Sequence, residues 1–228
     1  MSDTVKTLLQ WDVEGEKLFE TGVDRGVLWP YNPTQKKYDN GVAWNGLTGV
    51  TLSPSGAEET ALYADNGKYL SLLSAEELGL TITAYDSPDE FDECDGTAEV
   101  AAGVSFTQQK RKMFAFCWRT RIGNDTEDSD YGYKLHFVWG CKASPSERAY
   151  ATINDSPDAM ELSWDVNTTP VQVNGYKPVA HCEIESTKVD ATKLATLEAQ
   201  IYGTPAEGSA EAVESTLPMP ADIITMFK

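Results

Sequence analysis

Turn-forming dipeptides punctuate this 228-residue chain at intervals too short to leave room for many long helices. Asn40-Gly41, Asn45-Gly46, Asn66-Gly67, Asp95-Gly96 and Asn174-Gly175, together with Pro54-Ser55-Gly56, supply residues that tolerate the positive φ a hairpin turn demands. Between the turns, apolar and polar residues alternate. Tyr133, Leu135, Phe137, Trp139 and Cys141 fall on one side of a strand, with Lys134, His136 and Lys142 on the other. Met160, Leu162, Trp164 and Val166 alternate with Glu161, Ser163, Asp165 and Asn167, and Leu80, Ile82 and Ala84 with Thr81, Thr83 and Tyr85. Each pattern predicts a strand with one wet face. Phe114, Phe116 and Trp118, set against Arg119 and Arg121, predict a more fully buried strand, and Val171 to Val173 predicts a hairpin through Asn174-Gly175 toward Val179. The fold class is mainly β, with antiparallel sheets.

Two stretches break the strand pattern. Ser87-Pro88 followed by Asp89, Glu90, Phe91, Asp92 and Glu93 offers an N-cap, a proline at the first helical position and acids in the first turn, which predicts a short helix. Asp190 caps a longer one, with Leu194, Leu197 and Ile201 at three- and four-residue spacing and Gly203 as its stop. That helix should lay its apolar stripe on a sheet. Residues 203–228 are first Gly/Ala/Ser/Glu-rich and end at Ile223, Ile224, Met226 and Phe227, which predicts an extended C-terminal segment whose end docks. No repeat or linker divides the chain, so 1–228 is one domain.

Lys and Arg number 18 against 36 Asp and Glu, a formal charge of -18 that repels nucleic-acid phosphates and anionic lipid. A sequence-reading DNA binder is excluded on that ground. No apolar run is long enough for a membrane span and no basic-then-apolar leader opens the chain, so neither membrane insertion nor signal-directed export is expected. Cys94, Cys117, Cys141 and Cys182 are widely spaced, without C-x-x-C, and Cys117 and Cys141 sit in apolar runs where free thiols pack.

Chemistry-bearing motifs are scarce. His136 and His181 are too few for an ordinary histidine metal centre and read as strand-face residues. The acids from Asp86 to Glu99 do not have EF-hand spacing, and they and the acidic loop after Asn124 read as solvated surface. Asn124-Asp125-Thr126 and Asn167-Thr168-Thr169 match a glycosylation pattern by chance, and most of the six tryptophans lie in runs typical of core or interface packing. No residue is marked as catalytic, and no cofactor or metal is expected.

Three sets of words along the chain carry a resemblance. Trp11-Asp12, Gly15-Glu16 and Phe19 to Leu28 form the first; Gly41 to Thr48, Ser53 to Glu58, Leu62 to Asn66 and Asp86 to Phe91 the second. Arg119 to Glu127, Tyr131 to Lys134, Ala143 to Glu147 and Asn154 to Pro157 form the third. Together they resemble the major tail proteins, or tail tube proteins, of long-tailed, non-contractile phages of Gram-positive bacteria. The likeness weakens after Gly203, and its specificity comes from the number and order of the words.

The resemblance implies two antiparallel sheets packed as a sandwich with a flanking helix. It implies a non-enzymatic virion protein, assembled in the bacterial cytoplasm into stacked rings of about six copies whose inner sheets line a channel for DNA ejection. Implied partners are other copies of the chain, the tape measure protein, the tail terminator and the distal tail or baseplate protein. Double-stranded DNA would pass through the lumen without specific binding, and no membrane is involved. On that reading Thr81, Thr83, Asp86, Asp89, Glu90, Asp92 and Glu93 are candidates for the lumen or acidic surface, and acids should outnumber bases on the channel wall. Trp29, Tyr31, Tyr38 and Trp44 are candidate ring contacts, within a Trp29-to-Trp44 region that, with the segment from Gly203, should mediate stacking. The alternatives are a tube protein of a contractile tail or injection system, and a carbohydrate-binding β-sandwich.

Overall fold

The computed structural model describes residues 9–153, 159–206 and 211–228, and the chain is mainly β, with 48% strand and 13% helix. The first strands are β1 (Phe19–Asn32), β2 (Lys37–Tyr38), β3 (Val42–Trp44), β4 (Leu47–Gly56), β5 (Glu59–Ala64), β6 (Gly67–Leu73) and β7 (Glu76–Ala84). A 3-10 turn at Asp89–Phe91 runs into α1 (Asp92–Asp95), and then come β8 (Ala98–Ala101), β9 (Val104–Phe106), β10 (Phe114–Asn124) and β11 (Asp128–Ala143). β12 (Leu162–Thr168), β13 (His181–Glu185), α2 (Ala191–Tyr202) and α3 (Pro220–Phe227) complete the chain.

One antiparallel sheet of nine strands, ordered β2-β1-β10-β11-β12-β7-β4 with β3 beside β1 and β13 beside β11, replaces the two sheets expected from the resemblance. The hairpins β5–β6 and β8–β9 stand apart from it. The large sheet acts as two layers because β11 changes partner along its length. Lys134 to Val138 pair with β13, while Cys141 to Ala143 pair with β12. Gly140 makes the change: its φ is +64°, and a Cβ there would lie 2.2 Å from the Thr169 carbonyl oxygen. A side chain would therefore be both strained and blocked.

The irregularity at Gly140 also reverses which way side chains point. Leu135, Phe137 and Trp139 face one core, whereas Val138, Cys141 and Ala143 face the other. Simple alternation had put Cys141 with Trp139 and given β11 a wet face; instead the middle of β11 is buried on both sides, and His136 is only 5% exposed. The first core joins Leu80, Ile82, Trp164 and Val166 of β7 and β12 to Leu28, Phe114, Phe116 and Trp118 of β1 and β10. Trp44 and Phe91 fill the centre with tilted and edge-on ring contacts of 4.5 Å to each other and 5.3–5.4 Å to Phe116, Phe114 and Trp164.

The second core lies on the opposite face of β1, β10 and β11, under α2 and α3. Leu194, Leu197 and Ile201 bury the stripe the sequence predicts, each contributing roughly 1.5–3 kcal/mol. The Asp190 carboxylate accepts from Thr192 N and Lys193 N at 3.0 Å, and Gly203 ends the helix at φ +72°. The C-terminal segment is not extended throughout: Pro220 opens α3, the Asp222 carboxylate accepts from Met219 N, and Ile223, Met226 and Phe227 pack on this core. The short acidic helix starts one residue later than its sequence suggests, with Pro88 rather than Ser87 at its cap and no side-chain capping bond.

All four cysteines are free, three of them buried. Burial pushes the Cys94 thiol up to about 12 and raises Cys117 and Cys141 as well. Among the described residues no helix is long and apolar enough to cross a membrane.

Candidate functional site

The outer face of β4, β7, β12 and the end of β11 carries a field of small polar side chains. Directly opposed residues share a face, so the register Thr51–Thr81–Asp165 forms one row, Gly49–Thr83–Ser163 a second, and Ser53–Gly79–Asn167–Lys142 a third, with Ser55–Glu77 at the edge. The Thr81 hydroxyl donates to Asp165 Oδ1 at 2.8 Å, the Thr83 hydroxyl to Gly49 O at 3.3 Å, and Thr48 and Thr83 hydroxyls are 2.9 Å apart. These hydroxyls are already engaged, which leaves a short-chained, wettable surface with two carboxylates against one ammonium in the rows named. Such a surface repels phosphate weakly and offers a polyanion little to hold.

Thr81 and Thr83 thus lie where alternation puts them, but the acids named with them do not share their face. Asp86 follows β7, and its carbonyl accepts the Trp44 indole N–H at 2.9 Å. Asp89, Glu90, Asp92 and Glu93 belong to the 3-10 turn and α1, which exist locally because Phe91 and Cys94 plug the first core. Asp89, Glu90, Asp92 and Glu93 line a groove of about 680 Å³ with Asp39, Glu99 and Lys112. Lys112 pairs with Glu93, while burial, then the charges of Asp89 and Asp95, holds the Asp92 carboxyl above its ordinary range.

The proposed ring contacts divide as well. Trp29 is fully buried in the second core and Trp44, 2% exposed, in the first, so neither indole faces outward. Their apolar surface went to the subunit's own interior. Tyr31 and Tyr38 remain half-buried as an edge-on pair with ring centroids 5.2 Å apart, and the Tyr38 hydroxyl accepts from Gly140 N at 3.2 Å.

The outward apolar surface is elsewhere. The β5–β6 hairpin is exposed over nearly all its length, including Leu62, Leu70 and Leu72 on one face and Tyr63, Tyr69 and Leu73 around them. β8–β9 exposes Val100, Val104 and Phe106, and the segment before β1 exposes Leu9, Trp11 and Leu18. Asn66-Gly67 marks the first hairpin in the sequence, yet leucines and tyrosines beside a turn read equally well as core.

A two-pronged ion pair fixes the start of the central sheet. Arg119 Nε and Nη2 each donate to Asp24 at 2.7 Å, with Arg121 Nε 3.7 Å away, and the Arg119 hydrogen bonds hold the Asp24 carboxyl below its ordinary 3.8 despite partial burial. Because the folded value is the lower one, the pair's stabilisation is present above the unfolded pKa and is lost as pH falls through the folded pKa. Asp24→Asn should cost about 1 kcal/mol at pH 7 and less at pH 2, below the ordinary carboxyl range. Urea unfolding of both proteins at the two pH values measures the difference.

No protein-family model matches this chain, and no curated protein matches it.

Proposed function

We propose that this chain is a self-assembling structural subunit, whose β5–β6 hairpin is an arm that docks on a neighbouring copy. The carrying observation is that hairpin: a two-stranded ribbon with apolar residues on both sides has no core of its own. Among the described residues an isolated subunit leaves that apolar surface in water and both ribbon edges unpaired, which association would relieve. The β8–β9 hairpin and the exposed segment before β1 add further outward apolar surface.

More particularly, the subunit is a major tail protein of the long-tailed, non-contractile phage type. The words from Trp11 to Pro157 that resemble that family support this, as does a curled antiparallel sheet with α2 along one face. Rings of about six copies stack into a tube, and the threonine-rich face of β4, β7 and β12 forms the channel wall past which DNA slides. On this reading its partners in the virion are the tape measure protein, the tail terminator and the distal tail or baseplate protein.

Electron microscopy of the purified protein over a concentration series, with native mass spectrometry on the same samples, tests the proposal. Rings or hollow tubes are expected. A chain that stays monomeric throughout, even with the tape measure and distal tail proteins added as nucleators, overturns it.

A further inference from the structure

Separate from assembly, the pairing of β11 with β13 brings the protein's two histidines and a glutamate together. His136 lies directly opposite Glu183, and His181 lies two residues before Glu183 on the same face. One ligand atom from each residue lies within 4.8 Å of the other two, and His136 Nδ1 is 3.8 Å from Glu183 Oε1. The rings of Trp118, His136 and His181 stack nearly parallel, with 4.9 Å between the first two and 5.7 Å between the imidazoles. That stacking aligns the ring planes, most closely for His136 on Trp118.

The hydrogen bonds around His136 settle its tautomer. The Thr120 hydroxyl donates to Glu20, so its oxygen is free to accept from His136 Nε2 at 2.9 Å, and Glu20 Oε1 lies 3.4 Å from the same nitrogen. Nε2 therefore bears the proton, and Nδ1 presents a lone pair toward Glu183 and His181. His136 is 5% exposed. Neither its Nδ1 nor His181 Nε2 has a hydrogen-bond partner among the described residues. Two buried imidazole nitrogens cost about 1–3 kcal/mol each when left unsatisfied.

We propose that His136, His181 and Glu183 form a binding site for a single zinc-class divalent transition-metal ion. Two nitrogens and one carboxylate oxygen make a donor set that suits zinc, and the ion would engage both orphaned nitrogens at once. A tetrahedral ion with bonds of about 2.0–2.1 Å needs donors roughly 3.4 Å apart, a contraction shared by the exposed Glu183 side chain and the half-buried His181 ring, with His136 fixed. Three protein donors leave the fourth position for water. Glu20 and Thr120 stand behind His136 as the outer contacts that orient a ligating imidazole. The ion would clamp β13 to β11, the sheet's central strand.

The test is calorimetric titration of the chelator-stripped, full-length protein with zinc, with calcium as a control, alongside His181→Ala and Glu183→Gln. Wild type should bind one zinc per chain and melt at a higher temperature in its presence, while His181→Ala weakens binding at least tenfold and Glu183→Gln to a lesser degree. Both variants leave the buried His136 in place, and their metal-free melting temperatures show that they fold. No zinc uptake by wild type, or uptake unchanged in both variants, overturns the proposal. Calcium bound in place of zinc also overturns it, because it points to the acidic groove instead.

Discussion

Leu70→Lys combined with Leu72→Lys is expected to abolish tube formation at every concentration where the unaltered protein polymerises, while leaving the melting temperature nearly unchanged. Both leucines are exposed, Leu70 by 38% and Leu72 by 54%, so the subunit's own fold invests little in them. Leu70 pairs with Leu62 and Leu72 with Thr60, so all four share one face of the ribbon and form a short apolar stripe. Covering what remains exposed of the two leucines contributes about 1.4–2.8 kcal/mol together, so their loss weakens each subunit-subunit association roughly ten- to a hundredfold. Lysine on a strand that adds to a neighbour is also a common natural block to edge association.

Sedimentation velocity and electron microscopy read the loss of polymer, and calorimetry reads the fold. Tubes that form at the same critical concentration from the double variant would remove the hairpin from the interface and, with it, the main physical support for self-assembly. A large fall in melting temperature would show instead that the stripe packs on the subunit itself. A carbohydrate-binding module would not require these leucines, since glycans are held by aromatic platforms and polar edges, so the same variant separates the two readings.

How far the sequence could be read depended on whether the deciding contact was local. α2 was legible in full because an Asp cap, a three-four apolar repeat and a terminal glycine all act within one segment. β7 and β12 were legible because each has one face in the first core and one in water, which writes the period of two directly. β10 and β11 are buried on both faces, so apolar residues lose their alternation, and Gly140 shifts the phase in a way no pattern upstream announces. The histidines looked like isolated strand residues, 45 positions apart, because the β11–β13 register that joins them is set by long-range pairing. Exposed and buried aromatics were confused for the same reason. Trp29 sits in an apolar run that suits core or contact surface equally, and only its place beneath α2 and α3 decides between them.

That confusion makes Trp29 the sharper case. As a ring contact it would tolerate truncation in the free subunit, but in the structure it is fully buried, packed with Ala115, Phe137, Trp139 and the helices over them. Trp29→Ala is expected to cost about 3–5 kcal/mol, roughly 6–20 °C in melting temperature for a domain of this size, whether or not the protein is assembled. Trp29→Phe should recover most of it. The indole N–H has no hydrogen-bond partner among the described residues, so phenylalanine loses volume but breaks no bond. Denaturant unfolding of the monomer, at concentrations below polymerisation, is the measurement. A Trp29→Ala monomer as stable as the parent, yet unable to polymerise, would return Trp29 to the interface. On the structure's account, deleting residues 29–44 removes the end of β1 with β2 and β3 and part of both cores, so that deletion yields an unfolded chain rather than a soluble subunit with blocked assembly.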